Sequence, residues 1–215
     1  MQKEKAIEFI KRARANAKKR NFTQSIDLIV NFRDLDLKKP ENRIRDAIVL
    51  PHPIEKEINI CFILDSLLPK AKELDQENIK VLSKDEIANL TPKEIKKIAN
   101  TYDIFYAEAP LMPLVARYFG KYLGPRGKMP FPIPPNAPDL KPFIDRAKKT
   151  VLIKVISTPV LQVRIGVESM DNDKIADNLV YMIEKVNEIC EKKGTKIKNA
   201  YLKLTMGKPI KVEVK

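Results

Sequence analysis

The segment at 204–209, Leu-Thr-Met-Gly-Lys-Pro, carries side chains that could recognise RNA. Thr205 offers a hydroxyl that can hydrogen-bond to a ribose 2′-hydroxyl, the group that distinguishes RNA from DNA. Met206 adds a flexible apolar side chain, and Gly207 allows another backbone to approach closely and can adopt a positive φ. Lys208 can reach a phosphate. The same spacing also fits an ordinary β-hairpin turn, and this alternative stays open on the residues alone.

A second segment, Lys-Lys-Arg-Asn-Phe-Thr-Gln-Ser at 18–25, joins a basic helix to the first strand. Phe22 can pack on a sugar or a base, and Ser25 can donate a hydrogen bond to nucleic acid. The alternative is that Phe22 is a core residue. The apolar pattern by itself favours that alternative.

A third segment, Tyr-Leu-Gly-Pro-Arg-Gly-Lys-Met-Pro at 122–130, contains the Gly-Lys pair of a phosphate-binding loop. Such a loop needs four residues between its glycines and a Ser or Thr after the lysine. Here two residues separate Gly124 from Gly127, and Met129 follows Lys128. The segment therefore predicts a rigid Gly/Pro turn that presents Arg126 and Lys128.

Positive charge is concentrated at both ends of the 215-residue chain. The net charge is +13, with eight Lys or Arg against two acids in residues 1–20 and eight Lys against one acid in residues 192–215. A surface of this kind attracts polyanions, and nucleic acid gains further affinity when condensed counterions are released from its phosphates. The alternative is that the lysines only keep the protein in solution.

Other function classes have little support in the sequence. The longest apolar runs, such as 58–64, are too short to span a bilayer, and the charged N-terminus has no signal core. The single histidine, His52, lies between two prolines, and Cys61 and Cys190 lack ligand-spaced neighbours. We therefore expect no catalytic residue, no metal, no cofactor and no membrane partner, with both cysteines reduced in the cytoplasm. A disulfide between the two cysteines is the alternative that stays open.

Apolar periodicity predicts the elements that position these motifs. The first third reads as a basic helix at 3–20 followed by strands at 25–32, 47–50 and 58–64. Helices and strands then alternate: helix 66–74, strand 79–82, a capped helix from Thr91, strand 103–107 and helix 111–122. The proline-rich stretch 125–142 is expected to form no regular element. The last third reads as strands 152–156 and 161–167, helix 172–193 ending at Gly194, and strands 200–205 and 210–214.

These elements predict two domains. An α+β domain would be built from both termini, residues 1–66 and 158–215, so that the two basic ends can form one face. An α/β domain of βαβ units with a parallel sheet would be inserted at 67–157. Insertion requires the two connections to lie side by side.

The segment LGPRGKMP at 123–130, continued by FPIPPNAPDL, resembles the signature of the universal ribosomal protein L-one family, which forms the mobile stalk of the large ribosomal subunit. The TMG sequence at 205–207 and NFTQSIDL at 21–28 match the same family. The resemblance runs essentially from end to end, and the KMPFPIPP continuation is similar to the archaeal branch.

The resemblance implies a split domain I and an inserted three-layer α/β domain II. It implies a non-enzymatic ribosomal protein, monomeric when free, whose domain I binds large-subunit ribosomal RNA. It further implies assistance to transfer RNA leaving the exit site and repression of the protein's own messenger RNA. The RNA-contacting positions carried over by matching motifs are Phe22, Ser25, Thr205, Met206 and Gly207.

Three further residues join this predicted site. Arg164 and Lys203 are added because both are positively charged and because of their place in the alternation of their predicted strands. Lys208 is added for its charge, although relatives commonly have a small residue or proline there.

Two rival functions remain open on the residues. The first is a nucleotide-binding or nucleic-acid-processing enzyme that uses the βαβ insert. A glycine-rich loop after the first strand of the insert would favour it, but that segment reads LDSLLPKAK and contains no glycine. The second is a DNA-binding architectural protein, which the charge alone does not distinguish from an RNA binder.

Overall fold

In the computed structural model, the described residues are 2–54, 57–71 and 77–214. The chain divides into a first unit, residues 1–56 with 149–215, and a second unit, residues 57–148. Both boundaries fall earlier than the predicted 67 and 157. In chain order the elements are α1 (Lys3–Ala15), β1 (Ser25–Arg33), β2 (Ile44–Val49), β3 (Ile60–Leu64), α2 (Leu68–Ala71), β4 (Ile79–Ser83), α3 (Lys84–Asn89), α4 (Pro92–Thr101), β5 (Ile104–Glu108), α5 (Met112–Arg126), β6 (Phe131–Ile133), α6 (Lys141–Lys149), β7 (Thr150–Val155), β8 (Val160–Val167), α7 (Asn172–Lys193), β9 (Lys196–Leu204) and β10 (Ile210–Val212).

The first unit is built on an antiparallel sheet with the strand order β10-β9-β1-β8. Alternate residues of β1 are buried, as the period of two predicts. These side chains share one apolar core with α1 and α7. The opposite face of β1 is only partly covered. β2 and β7 form a separate antiparallel pair in the same unit.

The ends of the two packed helices follow from their residues. α7 spans the predicted 172–193 and ends at Gly194, whose φ of 62° lets the chain leave the helix. α1 stops at Ala15, short of the predicted 20. The three consecutive cations at 18–20 instead lie in a loop that turns the chain into β1.

The second unit is built on a parallel sheet with the order β4-β3-β5-β6. All five residues of β3 and all five of β5 are buried, which fits continuous apolar runs rather than alternation. Separate apolar clusters cover the two faces, one from α3, α4 and α5 and one from α2 and α6. Since β3 pairs with β4 and β5, the run at 58–64 belongs to this unit and not to the first.

Several predicted elements of this unit need correction. The capping box that opens α4 at Thr91 is confirmed. A similar box, Ser83 with Glu86, opens α3, which the periodicity did not predict. The predicted helix 66–74 is present as α2, and residues 72–76 lie outside the described residues.

The proline-rich stretch is not irregular throughout. Pro125 lies in the last turn of α5, Pro132 in the short strand β6 and Pro142 at the start of α6. The start of a helix and a sheet edge are places where the missing N–H of proline costs little.

Candidate nucleic-acid interface

The two predicted RNA motifs meet at one end of the first unit's sheet. The Ser25 amide donates to Thr205 Oγ1 at 3.1 Å, and the Thr205 amide donates to the Ser25 carbonyl at 3.0 Å. This exchange continues the pairing of β1 with β9 by one step, because Ile26 lies opposite Leu204. We call residues 22–25 with 205–208 the sheet rim. The sheet therefore joins segments that are 180 residues apart in the chain.

Two large apolar side chains project from this rim into solvent. Phe22 is 53 % exposed and Met206 is 57 % exposed, and Met129 is the one other large exposed apolar side chain in the described part of the chain. Aromatic and methionine side chains are normally buried, so a pair at one place indicates a contact surface. The alternative that Phe22 is a core residue is wrong, because the loop after α1 holds it outside the apolar cluster.

Gln24 holds the rim together, and the sequence interpretation gave it no role. Its side chain is fully buried. Its Oε1 accepts from the Met206 amide at 3.1 Å, and its Nε2 donates to the Lys18 carbonyl at 3.1 Å. Its backbone carbonyl accepts from the Glu168 amide at 2.8 Å. The sequence did hold a signal for this role: Gln24 is polar, yet the alternation of β1 places it on the same side as the buried residues of the strand.

Gly207 leaves room for a neighbouring segment that packs closely against it. It is not needed for a left-handed backbone conformation. A Cβ at this position would lie 3.2 Å from the Cβ of Ala17 and 3.4 Å from that of Leu204. Its φ is not positive, since Gly127 and Gly194 are the described glycines with positive φ. The neighbouring segment is the loop just after α1, and Gly207 itself is buried against it.

Arg164 and Lys203 lie on the partly open face of the sheet, one row in from the rim. Both are register partners of Asp27, which places one carboxylate between two cations. Burial raises the pKa of Asp27, and the two cations act to lower it. Arg164 Nε is buried without a hydrogen-bond partner. The row therefore adds one net positive charge next to the rim, while Lys208 is exposed on the rim itself.

The loop before the rim carries three consecutive positively charged residues. Lys18, Lys19 and Arg20 are all exposed. A shallow groove of about 450 Å³, wide open to solvent, follows and is lined by residues 19–23 together with Glu168 and Ser169. Exposed cations beside exposed apolar side chains are the combination that phosphates and unstacked bases require.

Arg126 and Lys128 are not presented to solvent as predicted. Lys128 Nζ donates to the carbonyls of Tyr102 at 2.7 Å and Ala99 at 3.3 Å, at the C-terminal end of α4. Burial lowers the pKa of Lys128, and Asp103 opposes that shift. Arg126 donates to the Asn100 side chain at 2.8 Å. Both cations therefore join α4 to α5 and belong to the scaffold of the second unit.

A buried carboxylate occupies the edge of the parallel sheet where α/β proteins bind nucleotides. Glu108, only 2 % exposed, accepts from the amides of Asp65 at 2.9 Å and Leu67 at 2.8 Å, and from Ser66 Oγ at 2.7 Å. Burial acts to raise the pKa of Glu108, but these hydrogen bonds together hold it below its ordinary value. Because the amides already bind an anion from the protein itself, this loop is unsuited to a nucleotide phosphate.

The described residues show little that favours other chemistry. They contain no group of three or more His, Cys, Asp or Glu that could hold a metal ion. Cys61 and Cys190 are both buried free thiols. None of the described helices is long and apolar enough to cross a membrane.

Comparison with known proteins gives a consistent result. The model of the "Ribosomal protein L1p/L10e family" matches residues 12–208. The chain is 42 % identical to the large ribosomal subunit protein uL1 of Pyrococcus abyssi, over 98 % of this chain and 96 % of the relative. It is 44 % identical to uL1 of Methanocaldococcus jannaschii, over 99 % and 97 %, and 41 % identical to uL1 of Thermococcus kodakarensis, over 98 % of both.

Proposed function

The chain belongs to the ribosomal protein L1p/L10e family, and we propose that it is a constituent of the large ribosomal subunit that binds ribosomal RNA through the sheet rim. It is not an enzyme, since this is a family of structural proteins. Its place is on the ribosome, in the cytoplasm. The observation that carries the proposal is the pair of hydrogen bonds between Ser25 and Thr205, one to the Thr205 hydroxyl and one between the backbones, which sets Phe22 and Met206 in solvent at the same edge.

The rim supports recognition of RNA shape rather than of a long base sequence. The Thr205 hydroxyl accepts from the Ser25 amide at the end of the sheet, where its second lone pair can accept from a ribose 2′-hydroxyl. Phe22 and Met206 supply apolar contacts for sugars or bases on either side. Lys208 and the cations at 18–20 lie within the same region and supply phosphate contacts, whose strength falls as salt rises.

Further partners follow from the same surface. A messenger RNA that folds like the ribosomal site would present the same ribose and phosphate pattern to the rim. We therefore propose that the protein represses translation of its own message. The second unit, also rich in lysine, would meet transfer RNA at the exit site. We propose that the free protein is a monomer.

Replacing Thr205 by valine tests the rim directly. The change removes the hydroxyl, including its hydrogen bond from the Ser25 amide, and nearly keeps the shape. The hydrogen bond lost to RNA should by itself weaken binding to a large-subunit ribosomal RNA fragment about two- to tenfold. Thr158→Val is the matched control, because Thr158 is exposed in the first unit outside the rim. Fluorescence anisotropy at fixed salt would measure both. Equal binding by the two variants and the unaltered chain would refute a direct role for Thr205.

The rival functions have tests of their own. Because Glu108 fills the loop after β3, ATP, NAD and S-adenosylmethionine should not change the melting temperature. A concentration-dependent increase would support the enzyme alternative. Competition between duplex DNA and the folded RNA fragment at matched salt separates an RNA binder from a DNA-binding architectural protein.

A further inference from the structure

A single carboxylate lies in the lining of the groove beside the sheet rim. Residues 19–23 form one part of the lining, and Glu168 with Ser169 forms the rest. Phe22 is more than half exposed there, and Glu168 is half-buried. The groove therefore combines an aromatic ring, two exposed cations and one acid.

The backbone of Gln24 fixes the position of this acid. The Glu168 amide donates to the Gln24 carbonyl at 2.8 Å, and the Gln24 amide donates to Glu168 Oε2 at 3.3 Å. Gln24 is itself fully buried and bonded to Met206 and Lys18. Glu168 is thus anchored next to Phe22.

A carboxylate at this place has a specific consequence for an RNA ligand. Phosphates repel it, so it is compatible with RNA where hydrogen-bond donors face it, and the donors of RNA are the base edges and the ribose 2′-hydroxyls. Unpaired bases stack on aromatic rings and present their Watson–Crick edges to side chains. Guanine is the one standard base with two adjacent donors on that edge, N1–H and the 2-amino group, and two donors match the two oxygens of a carboxylate. The other bases place an acceptor next to their donor.

We propose that this groove binds one unpaired guanine of an RNA. The base stacks on Phe22 and donates from N1 and the 2-amino group to Glu168, and Lys19 and Arg20 contact the flanking phosphates. The site rests on the proposed RNA-binding function and adds base selectivity to it.

The test uses the full chain and five heptamer RNAs, oligouridine with guanine, adenine, cytosine, uracil or hypoxanthine as the central base. Two base-edge hydrogen bonds predict that the guanine heptamer binds at least about fivefold more tightly than the adenine, cytosine and uracil heptamers. The hypoxanthine heptamer lacks the 2-amino group and should fall between them. Anisotropy at low salt measures all five.

Two variants and one control locate the preference. Glu168→Gln keeps an oxygen for the Gln24 amide and should abolish the guanine preference. Phe22→Leu should weaken all five heptamers together. Glu184→Gln makes the same charge change at an exposed position of α7 and should leave the preference intact.

Contrary results are distinct from these. Absence of a guanine preference in the unaltered chain overturns the proposal without any variant. A Glu168→Gln variant that binds all five heptamers more tightly shows that Glu168 only repels phosphate. A large-subunit ribosomal RNA fragment is measured in parallel. If the fragment binds and the guanine preference is absent, the base site fails and the proposed function stands; if the fragment does not bind, the proposed function fails as well.

Discussion

Replacing Gln24 by leucine should weaken RNA binding although Gln24 itself is fully buried. The substitution removes the acceptor for the Met206 amide and the donor to the Lys18 carbonyl, both bonded at 3.1 Å. The backbone bonds between Gln24 and Glu168 remain possible. The change therefore releases residues 205–208 and the end of the basic loop while leaving the strand pairing of β1 in place.

The size of the effect follows from the two lost bonds. Each contributes about 0.5–1.5 kcal/mol net, so their sum is about 1–3 kcal/mol. Met206 is exposed, so water can reach its amide after the change, and leucine adds apolar burial in return. We therefore expect the free energy of unfolding of the first unit to fall by about 1–2 kcal/mol. RNA binding must then order the released rim again, at a free-energy cost of about the same size as this loss of stability. A cost of that size lowers RNA affinity about 5- to 30-fold.

Urea denaturation followed by circular dichroism would give the stability, and anisotropy with the ribosomal RNA fragment would give the affinity. Gln2→Leu is the matched control, since the exposed Gln2 side chain makes no capping hydrogen bond at the start of α1. The affinity must be measured where both variants are folded. If Gln24→Leu and Gln2→Leu bind the fragment equally, the rim does not depend on this buried amide and the reasoning is wrong.

Three further predictions concern other parts of the structure. Gly207→Ala places a Cβ 3.2 Å from Ala17 and should cost about 1 kcal/mol in a thermal melt, with weaker RNA binding; an unchanged melt would contradict the close approach. The lowered pKa of Glu108 contributes stability that is present above the ordinary value of 4.5 and lost as pH falls through the folded pKa, so Glu108→Gln should flatten the acid side of the stability profile. A variant with the same acid dependence as the unaltered chain would show that Glu108 is not responsible. Burial raises the pKa of Cys61 to about 12 and of Cys190 to about 11, so both thiols should react with Ellman's reagent only after unfolding, and rapid reaction of the native protein would contradict this.

Apolar periodicity predicted the helices and strands that bury one face. It did not predict the positions of individual side chains whose partners lie far away in the sequence. β1 and α7 were found because each repeats its apolar residues over several turns or pleats. Lys128 was placed in solvent because a lysine in a Gly/Pro segment has no periodic signal. Its partners, the carbonyls of Ala99 and Tyr102, are more than 25 residues away in the chain, and only the folded second unit brings them together.

The predicted domain boundaries failed for a related reason. The run at 58–64 reads equally well as a strand of either unit. Which sheet it joins depends on pairing with β4 and β5, and local pattern carries no information about that pairing. The motifs at 22–25 and 205–208 were easier to place, because both flank strands whose buried positions fix their phase.

The topology explains why the proposed interface uses the two ends of the chain. β1 is a central strand, with β8 on one side and β9 on the other. Its pairing with β9 carries the Ser25–Thr205 exchange, and β9 is among the last segments of the chain. The antiparallel register is unbroken from Ile26 to Asn31 and shifts by one residue before Phe32, so the position of Thr205 follows from the pairs between Ile26 and Asn31. The rim is held in place by this pairing, by the Ser25–Thr205 hydrogen bonds and by Gln24, although Phe22 and Met206 are exposed. A rigid edge loses little conformational entropy when it binds, which is the property that recognition of RNA shape requires.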